Sequence, residues 1–171
     1  MLAWYFLYLP PRLVVRFFRL MQLTPEIQEE INQVRQNCGY FFMEGWSLLS
    51  AKGKDTLPFL QTQTTNDALQ LQVRQGQSSA ITDRQARLIT SFSLHRMDEN
   101  ESWLLSDNSK TLHDHLESYH FREAVTFDAL NLDLLALQGP KSMLVLEKIF
   151  NSLPEKPNGI ERHDVEGVPL T

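Results

Sequence analysis

The chain has 171 residues, 42% of them hydrophobic, with a formal charge of −5 and a pI near 5.5. That suffices for one domain with a single core. An acidic chain of this kind is not built to neutralise a phosphate backbone, which excludes direct nucleic-acid binding as its main activity. Its one cysteine, Cys38, excludes an internal disulfide framework and an all-cysteine zinc site, and indicates a reducing, cytoplasmic setting.

Charge is unevenly spread. Residues 1–25 carry Arg12, Arg16 and Arg19 and no acid, a local +3 that leaves −8 for residues 26–171. The opening MLAWYFLYL is nine apolar residues before Pro10-Pro11, well short of the roughly 20 that span a bilayer, so no membrane span is expected. RLVVRFFRLM then sets its arginines at i, i+4 and i+7 on one helical face, the pattern of a membrane-surface or organelle-targeting segment. Targeting would make the location mitochondrial; the plainer reading is that translation starts at Met21. Residues 1–20 are thus read as an amphipathic or spurious extension, 21–150 as the domain, and 151–171 as a linker into a downstream region.

Thr24-Pro25-Glu26 supplies an N-cap, a first-turn proline and an acid, while Ile27, Ile31, Val34 and Cys38 share a face, which predicts a helix over 25–38. YFFMEGWSLLS reads as two strands meeting at a tight Glu44-Gly45 turn, a hairpin. After Gly53, Asp55 is expected to cap a short helix containing Leu57, Phe59 and Leu60, with Thr65-Asn66-Asp67 ending it or capping another. In RLITSFSLH the pattern becomes period two, Leu88, Thr90, Phe92 and Leu94 facing one way and Ile89, Ser91, Ser93 and His95 the other. Asp98-Glu99-Asn100 is a turn, SWLLS a returning strand, and Asn108 or Ser109 the cap of a helix bearing Leu112, Leu116 and Tyr119. AVTFD and LDLLALQG read as a further strand pair, and KSMLVLEKIF as a helix opened by Pro140. Helices interleaved with hairpins give an α+β class, an antiparallel sheet with helices on one face.

The familiar chemical motifs fail on this sequence. A phosphate loop needs Gly-x4-Gly-Lys-Ser/Thr, and Leu48 and Asp55 occupy its first and last positions. His113, His115 and His120 lie close in sequence, but residues two apart do not share a helical face, so His113 and His115 cannot chelate one ion from a regular helix. Cys38 closes an apolar face with no base beside it, and Asp98, Glu99 and Glu101 sit in a solvated turn. Trp46, Trp103, Tyr119 and Phe92 are the residues available to line an aromatic slot for a planar heterocycle, with core packing as the plain alternative.

Five ordered blocks carry a resemblance: GKDTLPFLQTQTTNDALQL, DRQARLITSFSLHR, WLLS before a helix, YHFREAVTFD and LLALQGPKS. They are similar to the N-terminal part of the folate-binding YgfZ/GcvT family, from about Gly39 to Phe150. The resemblance implies the GcvT-like aminomethyltransferase fold, three subdomains around a central cavity, and tetrahydrofolate as ligand. In the family's transferases an Asp-Asp pair stands where this chain has Thr90 and Ser91, and a methionine near the folate stands where it has Trp46. An ordinary hydroxyl cannot replace a carboxylate in acid-base work, so the chain is placed nearer the YgfZ-like branch. That implies a non-catalytic folate binder with iron-sulfur proteins or assembly factors as partners, acting indirectly in tRNA modification. Trp46, Thr90 and Ser91 are its expected folate contacts, with no catalytic residue and no metal ligand. The branch's downstream Lys-Gly-Cys motif is not in the 171 residues, so an N-terminal fragment is expected. The alternatives are a folate-dependent aminomethyltransferase and an interaction domain that binds no folate.

Overall fold

In the computed structural model, residues 24–150, 152–165 and 168–170 are described; the amphipathic or targeting reading of residues 1–20 lies outside them. The chain divides into two compact units. Within the first, helix α1 (Pro25–Gln36) starts at Thr24, whose hydroxyl accepts the Ile27 N–H at 3.4 Å. Gly139 runs against the end of this helix at φ +124°, where a Cβ would collide with the Val34 and Asn37 carbonyl oxygens, so the Gly-Pro of LLALQGPKS marks a close backbone crossing.

The second unit is built on a five-stranded antiparallel sheet. Its strands are β2 (Ser47–Lys52), β3 (Gln75–Thr82), β4 (Leu88–Asp98), β5 (Glu101–Ser106) and β6 (Thr126–Leu130), in the spatial order β3-β4-β5-β2-β6. Two more strands, β1 (Gly39–Phe42) and β7 (Leu135–Gln138), form a separate two-stranded sheet. Helices α2 (Thr56–Gln63) and α3 (Ser109–Ser118) cover one face of the large sheet, and α4 (Ser142–Ile149) follows β7. A last pair, β8 (His163–Val165) and β9 (Val168–Leu170), is antiparallel.

Period two decides which face is which. Thr90, Phe92 and Leu94 of β4 are buried against the helices, and Ser91, Ser93 and His95 alternate with them at intermediate exposure; at the start of the strand a register shift breaks the expected period, so that Leu88 is 63% exposed and Ile89 packs against the core. Cross-strand partners extend the buried row: Leu94 pairs with Leu104, Leu104 with Leu49, and Ala51 with Phe127. Leu57, Phe59 and Leu60 of α2 and Leu112 and Leu116 of α3 close this core from above, with the Phe59 and Phe127 rings 5.6 Å apart. The α+β class with helices on one face is what the alternation predicted.

Two strand pairings differ from the sequence reading. The turn at Met43–Trp46 exists, closed by Trp46 N–H to the Met43 carbonyl at 3.2 Å, but β1 and β2 do not pair. Gly45, third in the turn, has φ +81° after a residue of negative φ, the signature of a type II turn, which splays its strands where a primed turn would pair them. Likewise β6 joins β2 and β7 joins β1, so AVTFD and LDLLALQG are not partners. Strand β3 has no counterpart in the sequence reading.

The GKD and TND groups turn out to be joints. Asp55 precedes α2 without capping it by its side chain; its Oδ2 instead accepts the Ala124 N–H at 2.8 Å across 69 residues. Gly53, at φ +147°, lies so close to Ala124 that a Cβ would overlap that residue's carbonyl oxygen. Together they fix the strand following Ala124 beside β2. Thr65 and Asn66 meet the outer edge of β3: Thr65 N–H donates to the Ala80 carbonyl at 3.0 Å and Asn66 Nδ2 to that of Ser78 at 2.6 Å. Asp67 caps no second helix; its Oδ1 accepts the Leu69 and Gln70 N–H groups in a turn. Farther along the same edge Gly76 N–H donates to the Asn158 carbonyl and Ile160 N–H to that of Arg74, so the edge is covered against pairing with other chains.

Gly53→Ala combines a backbone collision with a φ unfavourable to alanine and is expected to cost at least about 2 kcal/mol in urea unfolding. Ala86, held at φ +60° in the β3–β4 turn, gives the opposite result: Ala86→Gly is expected to raise stability by about 0.5 kcal/mol. Equal urea midpoints for these variants and the parent would refute both assignments.

Candidate functional site

The face of the large sheet away from α2 and α3 is the candidate site. Strand register assembles it from five strands: Asp128, Ser50, Trp103, His95 and Gly76 lie in one row. Ser93 and Leu105 pair in the next row, and Ser91 stands beyond them on β4. The face therefore combines hydroxyls, an imidazole, an indole and carboxylates on a rigid scaffold. Glu101 organises its middle, its Oε1 accepting from Trp103 Nε1 at 3.0 Å and from the Ser50 hydroxyl at 3.3 Å. The Arg162 guanidinium lies 5.8 Å from the Trp103 ring centre, a cation–π distance.

The three residues singled out from the sequence have different surroundings. Ser91 is on the open face, half-buried, and its carbonyl accepts the Ser106 hydroxyl at 3.2 Å. Trp46, also half-buried, immediately precedes β2. Because Ser47 pairs with Ser106, Trp46 and Ser91 stand at the same end of the sheet, two strands and so roughly 10 Å apart. Thr90 faces the other way, 5% exposed under the helices, with its hydroxyl 3.4 Å from the Ser91 carbonyl. Its reach toward a ligand on the open face is through the backbone. The aromatic slot does not assemble: Phe92 is in the core, Trp103 is at mid-sheet on the open face, and Tyr119 lies against His115 with ring centres 4.7 Å apart and ring planes tilted by 37°.

His95 is the titratable group that sequence reasoning undervalued, although the same alternation that placed Ser91 also placed His95. Its ring lies over Gly76, where a Cβ would sit 2.7 Å from Nδ1, and burial pushes its pKa below the usual imidazole value. His115 is lowered by burial as well. His120 is raised, first by its bond to the Glu123 carbonyl at 2.8 Å and then by Glu117. A concavity of about 660 Å³ opens elsewhere, between the end of α2, the β3–β4 turn and α3, and Thr62, Thr65, Arg84, Arg87, His115 and Tyr119 are among its lining. Asp83 there pairs with Arg87 at 2.6 Å and is held below the usual carboxylate range, first by the Arg87 backbone N–H. This cleft does not include Trp46, Thr90 or Ser91. No helix among the described residues is long and apolar enough to cross a membrane.

A His whose pKa is depressed by folding takes up its proton more readily in the unfolded chain. The stability contributed by neutral His95 is therefore complete above the unfolded value near 6.5 and is lost as pH falls below it. His115 acts in the same sense, and the raised His120 acts oppositely. His95→Gln is expected to flatten the loss of urea stability between pH 7 and pH 5 relative to the parent; an unchanged pH slope would show that His95 titrates alike in both states.

The sequence matches the GCVT N-terminal domain family over residues 2–168. It is 28% identical over 138 residues to an aminomethyltransferase of Exiguobacterium sibiricum, covering 77% of this chain and 38% of that protein. It is 30% identical over 131 residues to an aminomethyltransferase of Thermus thermophilus, covering 74% of this chain and 37% of the relative. Among solved structures, the glycine cleavage system aminomethyltransferase T of Bartonella henselae superposes with a TM-score of 0.69 at 27% identity, over 74% of this chain and 36% of the other. The chain thus spans less than two-fifths of the length of each of these relatives.

Proposed function

Because the chain belongs to the GCVT N-terminal domain family, we propose that it forms one wall of a tetrahydrofolate-binding site of the aminomethyltransferase type, in a domain spanning 21–150. The open face of the large sheet is that wall. Trp46 offers a flat apolar surface to the pterin ring, Ser91 orients it through its hydroxyl, and Thr90 fixes the backbone beneath Ser91. The observation that carries this reading is the pairing of a family match over nearly the whole chain with a half-buried sheet face that the two helices leave open, on which Leu48, Leu105 and Leu130 lie beside Ser93 and a row of polar groups. Folate-dependent transfer of a one-carbon unit is the reading that the named relatives favour over the YgfZ-like one.

One observation favours the second reading. Thr90 and Ser91 stand where the resemblance calls for two carboxylates, and neither hydroxyl can shuttle a proton at neutral pH. With this pair a bound folate is held and not processed, which fits the YgfZ-like role with iron-sulfur proteins. The two readings share the ligand and separate on turnover.

Calorimetric titration of tetrahydrofolate into the full chain is expected to show binding that Trp46→Ala weakens roughly tenfold through loss of ring stacking. Absence of heat in the folded parent, or equal affinity in parent and Trp46→Ala, would overturn the proposed site. Restoring the carboxylate with Ser91→Asp and assaying aminomethyl transfer then separates the readings: gained turnover supports the transferase ancestry of the site.

A further inference from the structure

The cleft between α2, the β3–β4 turn and α3 lies apart from the folate wall, and its polar groups are biased toward donors. Asp83, the one carboxylate in its lining, is fully engaged. Its Oδ1 accepts the Gln85 and Arg87 N–H groups at 2.8 and 2.9 Å, and its Oδ2 accepts Arg87 Nε at 2.6 Å. The turn is closed as well by the Asp83 N–H on the Arg87 carbonyl at 2.9 Å and the Ala86 N–H on that of Asp83 at 3.0 Å. Arg87 is thereby neutralised, and Arg84 stands on a fixed turn. Exposed at the cleft, Arg84 has no hydrogen-bond or ion-pair partner among the described residues. The lining thus carries one positive charge in excess within a chain of net charge −5, and His115, its pKa lowered by burial, adds none at neutral pH.

The hydroxyls divide in the same direction. Thr62 and Thr64 give their protons to the Phe59 and Asn66 carbonyls at 2.8 and 3.2 Å. Thr65 Oγ1 accepts the Ala80 N–H at 3.2 Å, which leaves its own proton to donate, and the Thr82 hydroxyl has no partner among the described residues. A guanidinium fork and two hydroxyl donors beside a satisfied carboxylate form an anion site. Three acceptor oxygens match these donors better than two, which selects phosphate over carboxylate. One unpaired guanidinium serves one phosphate, not a nucleic-acid strand. The α3 wall is aromatic: Tyr119, against His115, remains 42% exposed and offers a flat face to a planar group. The volume of about 660 Å³ is that of a small-molecule pocket. We propose that this cleft binds a nucleoside monophosphate, its phosphate on Arg84, Thr65 and Thr82 and its base over the Tyr119 ring. The proposal does not depend on folate binding.

The test is an amide-resolved NMR titration of the full chain with adenosine 5′-monophosphate, inorganic phosphate and adenosine in separate arms, without folate. The nucleotide is expected to give saturable shifts at 62–65, 82–87 and 115–119. Phosphate alone is expected to move only the turn and the end of α2, and adenosine only the α3 wall, each at least about tenfold more weakly. Arg84→Gln is expected to weaken the nucleotide about tenfold while keeping the parent's circular dichroism and melting temperature, because Arg84 bonds to no described residue. Tyr119→Leu is expected to reduce nucleotide affinity to that of phosphate. Absence of saturable shifts, shifts confined to other surfaces, equal affinity in the parent and Arg84→Gln, or phosphate binding as tightly as the nucleotide would overturn the proposal. Each of these results leaves the folate reading untouched.

Discussion

The open face of the large sheet depends on one backbone contact, the approach of Gly53 and Asp55 to Ala124. Gly53 ends the β2 segment at a φ and a distance that only glycine allows, and the Asp55 carboxylate holds the Ala124 N–H. That joint aligns β6 with β2, so that Ala51 faces Phe127 in the core and Ser50 faces Asp128 outside it. A one-residue slip would exchange the two faces, sending polar groups into the helices' apolar cover. The Gly-x-Asp spacing therefore acts on the candidate site without touching it.

Much of this was legible wherever one force dominated. In RLITSFSLH the alternation of β4 is visible because burial on one face outweighs every local preference, and Leu112 and Leu116 announce α3 for the same reason. Strand β3 was not legible: QGQSSAIT is poor in β-formers, and its pairing with β4 comes from register and from the Thr65, Asn66 and Asn158 contacts along its edge. The β1–β2 hairpin was misread because MEGW gives a turn without giving its twist. Asp55 was read as a cap because sequence shows only near neighbours, and its true partner is 69 residues away. The site divides in the same manner. Ser91 and its face follow from period two, whereas the cleft of Thr62, Arg84 and His115 gathers three distant segments and left no signal.

Family membership and chemistry bear on different questions. The match to the GCVT N-terminal domain accounts for the fold and for the five ordered blocks. It does not supply a proton carrier at positions 90 and 91, where the chain presents two hydroxyls, one of them buried. A sheet face with serines, a neutral histidine and an indole can hold a flat, polar heterocycle through stacking and hydrogen bonds. Its ionisable side chains, Glu101, Asp128 and His95, lie at mid-sheet, away from the Trp46–Ser91 end.

The most direct test of the account is an amide-resolved NMR titration of the full chain with tetrahydrofolate. The account predicts shifts at the Trp46 indole and along Ser91 to His95, with the cleft between α2 and α3 silent. Shifts confined to Thr62, Arg84, His115 and Tyr119, or a spectrum unchanged at saturating ligand, would contradict the assignment of the open sheet face as the folate wall.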